Sequence, residues 1–181
     1  MRKLMFFAMA VLAAGLFYAC GPKPEEKAEV KNNDAEMKAR FNALNDCFNT
    51  GNTDAIDTLL TADAVDHSED TSMHLPKGPA GLKELVKFLR TGSPDLKSEI
   101  KMMAADGDML MVYGTTSGTN TGSMMGMPPT NKAWTSDFVD IVKFDSDLKM
   151  TEHWGVYDQF KMLSDLGVLC PPPPDAKKKG K

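Results

Sequence analysis

Near residue 95 the spacing of apolar residues changes, and that change constrains the fold more than any other feature of the chain. Before it, Met37, Phe41, Leu44 and Cys47/Phe48 recur at three- and four-residue intervals, as do Leu82, Leu85, Val86 and Leu89. That spacing puts each group on one face of a helix. After it the period is 2, the alternation of half-buried strands. The pattern predicts a helix from Asp34 stopped by Gly51, then a short helix through Ile56, Leu59 and Leu60 capped by Asn52-Thr53-Asp54. A short strand at Ala64–His67 and a helix at Gly78–Arg90 follow. Four strands come next: Leu96–Ala105, Met109–Thr119, Ala133–Phe144 and Leu148–Tyr157. Asp106-Gly107-Asp108 and Asp145-Ser146-Asp147 have the residue types of tight hairpin turns. The connection Gly118–Lys132 is longer, and a last helical turn from Gln159 to Leu166 ends at Gly167. Helices first and an antiparallel meander after them give an α+β fold with the helices on one face of a sheet.

The two ends fall outside this pattern. Arg2 and Lys3 precede an apolar run from Leu4 to Ala19, the length of a signal-peptide core and short for a membrane span. The run closes on Leu16-Phe17-Tyr18-Ala19-Cys20-Gly21, which resembles the lipobox of bacterial lipoproteins. Bulky Phe17 and Tyr18 depart from its usual form, so ordinary signal cleavage is the alternative. The resemblance implies acylation of Cys20, anchoring to a membrane and residence in the bacterial cell envelope, at a periplasmic or surface face. The expected organisation is a signal peptide at 1–19, an acylated cysteine and flexible linker at 20–33, a folded domain at 34–169, and a proline-rich, basic tail at 170–181.

Charge then narrows the partners. The whole chain carries −4; loss of Arg2 and Lys3, with Asp175 and the four tail lysines set aside, leaves −9 on residues 20–174. Such an acidic domain is no nucleic-acid binder, which needs a basic face. Three cysteines are too few for a disulfide scaffold. Cys47 and Cys170 could pair only if the last helix packed beside the first.

Several short signals in series resemble the SnoaL-like polyketide cyclases (ester cyclases), a branch of the nuclear transport factor 2-like superfamily. They are Asp66-His67, Gly78-Pro79-Ala80-Gly81-Leu82, Ser93-Pro94-Asp95-Leu96, the Asp106-Gly107-Asp108 turn, the Gly126–Lys132 loop with Met127-Pro128-Pro129-Thr130, and Glu152-His153-Trp154 with Asp158. Asn131 stands where the family usually has glycine, and asparagine tolerates a positive φ. The resemblance implies a cystatin-like cone: a curved antiparallel sheet wrapped around the N-terminal helices and enclosing an apolar pocket. It also implies ring closure by intramolecular aldol condensation without metal or cofactor, a carboxylate serving as general acid/base. A small hydrophobic organic ligand and a homodimer are the partners it suggests.

Strand alternation nominates the site residues. On the last strand Glu152, Trp154, Val156 and Asp158 share a face, with Trp154 and Val156 expected to line the cavity and His153 to point away. Asp158 matches the carboxylate that closes the family's last strand, or else caps the final helix. On the preceding strand Trp134, Phe138 and Asp140 share a face. Asp140 is a polar exception among apolar neighbours, so it is a second acid/base or a ligand-orienting group, unless a bulge turns it to solvent. His67 matches the family's histidine near the pocket entrance, where it would hydrogen-bond a substrate carbonyl.

Methionine is in excess: 14 residues, seven of them between Met102 and Met127. Flexible thioethers suit an irregular apolar ligand, so Met125 and Met127 are expected at the pocket, part of the cluster lining it and part forming a lid. The competing uses are a non-catalytic binding module and, more distantly, Cu(I) held by Met124, Met125 and Met127 with Met73, His74 or His153. No His/Cys/carboxylate group has zinc spacing.

Overall fold

The computed structural model describes residues 33–68, 74–124 and 126–169. The expectations for the signal peptide, Cys20, the linker, Met73, Met125, Cys170 and the tail lie outside these residues.

Helix α1 (Asp34–Thr50) buries Met37, Phe41, Leu44 and Cys47, and each large apolar side chain so buried stabilises the fold by about 1.5–3 kcal/mol. Gly51 ends it in the left-handed conformation, φ 79°, its N–H donating to Cys47 O. Helix α2 (Ile56–Leu59) stops one residue earlier than expected because Leu60 is already extended, and its N-cap is Ala55 without a side-chain cap. Asn52 instead accepts from Asp54 N in a local turn. Strand β1 (Leu60–Asp66) and helix α3 (Gly78–Gly92) follow, α3 opening on Gly78 and Pro79. Arg90, near its end, donates to Phe48 O, Asn49 O, Pro94 O and Leu96 O. One guanidinium thus satisfies carbonyls from the end of α1 and the approach to the sheet.

The meander is β2 (Lys97–Asp106), β3 (Met109–Thr119), β4 (Ala133–Phe144) and β5 (Met150–Tyr157), and α4 (Gln159–Leu166) closes the domain. The strands form one curved, unclosed sheet in the order β1-β5-β4-β3-β2, with β1 parallel to β5 and every other pair antiparallel. β5 starts two residues later than its hydrophobic pattern suggests, because Leu148 turns with φ 58° while Asp145 accepts from Asp147 N and Lys149 N. Asn131 has φ 56°, as its place in the loop requires.

The helices cover one sheet face. α1, α2 and α3 pack with Leu110, Val112, Phe138, Val142 and Phe144 in the main core. A second cluster joins Leu96, Met124, Trp134 and Leu166. No helix among the described residues is long and apolar enough to cross a membrane.

Candidate active site

The site is set by one irregularity in β5. Phe144 pairs with Met150, but the next pair is Lys143 with Glu152, so Thr151 is an extra residue in the strand. Met150 points into the core. Without the extra residue Glu152 and Trp154 would share its face. With it, the inner face passes to His153, Gly155 and Tyr157, opposite Val142, Asp140 and Phe138. This reverses the face expected from simple alternation. Val156 is 72 % exposed, and Trp154 lies on the outer side.

His153 is therefore turned toward the helix-covered side, between two carboxylates. Its Nδ1 is 2.9 Å from Asp66 Oδ1, supplied by β1, whose Asp66 pairs in register with His153. Its Nε2 is 3.2 Å from Asp140 Oδ1, supplied by β4. The Tyr157 hydroxyl donates to the same Asp140 Oδ1 at 3.3 Å. Both contacts of Asp140 thus fall on one oxygen, and Oδ2 receives neither. Ser68 N and Oγ donate to Asp66 Oδ1 at 2.9 and 2.6 Å, fixing that carboxylate from the chain side.

The electrostatics follow from this geometry. Burial pushes the His153 imidazole down, but hydrogen bonds to Asp140 and Asp66 and their charges outweigh it and raise its pKa to about 9. It is an imidazolium at neutral pH, and each ring N–H faces a carboxylate. Burial would raise Asp66, yet the hydrogen bond and charge of His153, with the Ser68 donors, hold it at about 2. Burial, then the charges of Asp140 and Asp66, push the Tyr157 phenol well above its ordinary value. The Tyr157 hydroxyl therefore keeps its proton.

The other nominated residues are distributed as follows. Asp158 is exposed; its Oδ1 accepts from Lys161 N at 2.9 Å as the N-cap of α4, and its N–H donates to Asp137 O. His67 is on the outer face, its ring stacked on Trp154 at 4.5 Å and 10°, with Nε2 3.0 Å from Glu152 Oε2. Glu152 also meets Lys143 Nζ at 3.3 Å. Trp134 is buried in the second cluster, its Nε1 donating to Ser93 Oγ at 2.9 Å. Phe138 is buried in the main core and meets the Tyr157 ring at 6.5 Å. Met127 packs on the second cluster, where Met124 is buried, and the two exchange backbone hydrogen bonds across Gly126. The Met124 thioether lies against Gly92, so its surface is used in packing. Among the described residues the structure brings together Asp140, His153, Asp66 and Tyr157. For acid/base work sequence reasoning nominated only Asp140 of these, missing His153 and Asp66 by one position in favour of Trp154 and His67. A groove of about 510 Å³ runs beside α3, lined by Gly51, Thr53, Lys83, Lys87 and Thr91 among others, and shares no residue with the cluster.

The sequence profile of the SnoaL-like polyketide cyclase family matches residues 38–166. The chain belongs to the SnoaL-like polyketide cyclase family. Within it, this SnoaL-like chain is 29 % identical over 126 residues to nogalonic acid methyl ester cyclase of Streptomyces nogalater, a match spanning 68 % of this chain and 92 % of the relative. Among solved structures it is similar to AclR of Streptomyces galilaeus, at 28 % identity and TM-score 0.64, covering 76 % of this chain and 99 % of that one. It shares its fold with TsrD of Streptomyces laurentii, at 18 % identity and TM-score 0.68, covering 75 % and 97 %.

Proposed function

We propose that this SnoaL-like chain catalyses a cofactor-free intramolecular aldol ring closure on a small apolar polyketide ester, and that it does so in the cell envelope, tethered through acylated Cys20. The observation that carries the chemistry is the His153 imidazolium held between Asp66 and Asp140 on the inner sheet face. Asp140 is the general base. Its Oδ2 takes the proton from a carbon next to a substrate carbonyl, and the enolate carbon bonds to a second carbonyl carbon of the same molecule. His153 Nε2–H stabilises the oxyanion and then protonates it, and the proton on Asp140 returns to the neutral Nε2 once the carboxyl group turns its protonated oxygen to the ring, Oδ1 being the oxygen that meets Nε2 at 3.2 Å in the resting site. Atoms and protons balance, because the reaction is an isomerisation. Asp66 holds the ring orientation through Nδ1.

The test is conversion of nogalonic acid methyl ester, the compound named by the Streptomyces relative, followed by chromatography and absorbance because the mass does not change. Asp140→Asn and His153→Ala are each expected to slow closure by about 10²–10⁴-fold. Full activity in Asp140→Asn overturns the assignment. The leader-like N-terminus favours a second reading, a lipoprotein that binds a hydrophobic molecule without transforming it; native mass spectrometry of the chain from its own source, showing an unchanged co-purified ligand, would select it. Anchoring is tested separately by metabolic labelling with an alkyne fatty acid, which Cys20→Ser should abolish.

A further inference from the structure

Tyr157 reaches Asp140 by an unusual path. Asp140 is paired not with Tyr157 but with Gly155, one inner-face position earlier on β5. Strand side chains stand roughly perpendicular to their sheet, so the Tyr157 ring must lie down along β5, over Gly155, for its hydroxyl to arrive. The contact distances show that it does. A Cβ placed on Gly155 would stand 2.8 Å from both Cε2 and Oη of Tyr157 and 3.0 Å from Cζ, closer than carbon atoms pack. The neighbouring strands repeat the device, with the Phe138 ring end lying where a Cβ on Gly114, its own register partner, would be. Two rings thus lie side by side on the inner face, each over a glycine.

We infer that Gly155 is a positioning residue, whose missing side chain is the seat that lays the Tyr157 phenol on Asp140 Oδ1. Tyr157 is then the second proton donor of the site. With His153 Nε2–H and Tyr157 Oη–H both on Oδ1, the carboxylate is turned so that Oδ2 is the oxygen presented to substrate. A substrate carbonyl that enters can take over the phenol hydrogen bond without displacing His153. Gly155 φ is not in the left-handed region, so no backbone requirement accounts for a glycine here. The ring above it does.

This role rests on the ring-closure reading, but its seat can be tested without a substrate. The phenol of Tyr157 is titrated by ultraviolet absorbance in the full chain and assigned by its loss in Tyr157→Phe. Gly155→Ala should move that titration down, toward an ordinary phenol, as the ring leaves Asp140. An unmoved titration overturns the seat. Stability gives a second test that survives if Gly155→Ala folds poorly. Once Tyr157→Ala removes the ring, adding Gly155→Ala should cost no further shift in denaturation midpoint; an undiminished loss, or failure of the double variant to fold, overturns the proposal. Where ring closure is measurable, Gly155→Ala and Tyr157→Phe should each lower kcat by up to about 10²-fold with KM little changed, and the double variant should be no slower than either. Independent, multiplying effects would overturn the coupling. Absence of ring closure in the wild-type chain, with the phenol still seated, would remove the cyclase reading and leave the seat standing.

Discussion

At His153 a single proton ties the stability of the domain to the state of its site. The folded pKa of about 9 lies above the ordinary histidine value, so the folded state binds the proton more tightly than the unfolded chain. The stabilisation is complete below about pH 6.5, where both states are protonated, and is lost as pH rises through 9. Asp66 shows the opposite sign. Its folded pKa of about 2 is below the ordinary aspartate value, so its contribution is complete above about pH 4 and is lost as pH falls through 2. The two overlap in the His153–Asp66 contact and do not add, and the His153 shift also carries its contact with Asp140. The His153 shift corresponds to about 3 kcal/mol. Urea midpoints should therefore be flat from about pH 4 to 6.5 and fall between 6.5 and 9, while His153→Gln should lack the fall. A wild-type midpoint that does not drop across that interval would show that the imidazolium is not held as the distances indicate. The same proton sets the rate: ring closure should decline as His153 loses it near pH 9.

At the scale of elements, what was legible depended on whether a boundary is written in residue types. β3, β4 and α4 begin and end where their turn residues put them: Gly107 with φ 62° after Asp106, Asp158 capping, and Gly167 with φ 71° closing the last helix. The strand-to-helix order and the inner face of β4, from Trp134 to Phe144, follow from period and polarity alone. The bulge at Thr151 does not. An extra residue inside a strand carries no composition of its own, yet it exchanges every side chain after it between faces. The same device at Lys101 puts Met102 outside and Met103 inside, which alternation from Leu96 does not give. So the sheet could be read, but that it turns His153 inward and Trp154 outward could not. Asp158 shows the converse, a residue whose position allowed two roles. Asp158→Ala should cost about 1 kcal/mol of stability through the lost cap and leave ring closure nearly unchanged, whereas Asp140→Asn should do the reverse. Thermal melts and rates on the two variants separate them; a large rate loss in Asp158→Ala would return that residue to the chemistry.

For the whole molecule the consequence lies on the other side of the sheet. Four residues line up across the outer face in register, Met102 with Tyr113, Val139 and Val156, and the next row is Ala104, Met111, Ile141 and Trp154. Met102, Met111, Val139 and Val156 are 63, 52, 42 and 72 % exposed. The outer face of an antiparallel sheet is ordinarily polar, and an apolar block across four strands signals contact with another protein. Lys143 pairs with Glu152 on one side of the block and Lys101 with Asp137 on the other. Two copies of this domain can meet face to face over the apolar rows, where a two-fold axis pairs the same patch with itself. The expected outcome is a homodimer through this face. Light scattering on the purified chain at tens of micromolar should give the mass of two chains. Val139→Lys, which places a like charge on both sides of the axis, should return it to one chain while leaving the His153 titration in place, because residue 139 faces away from the site. A wild-type chain that is monomeric at that concentration, or a Val139→Lys variant that stays dimeric, would place the contact elsewhere and leave the methionines of the outer face without a partner.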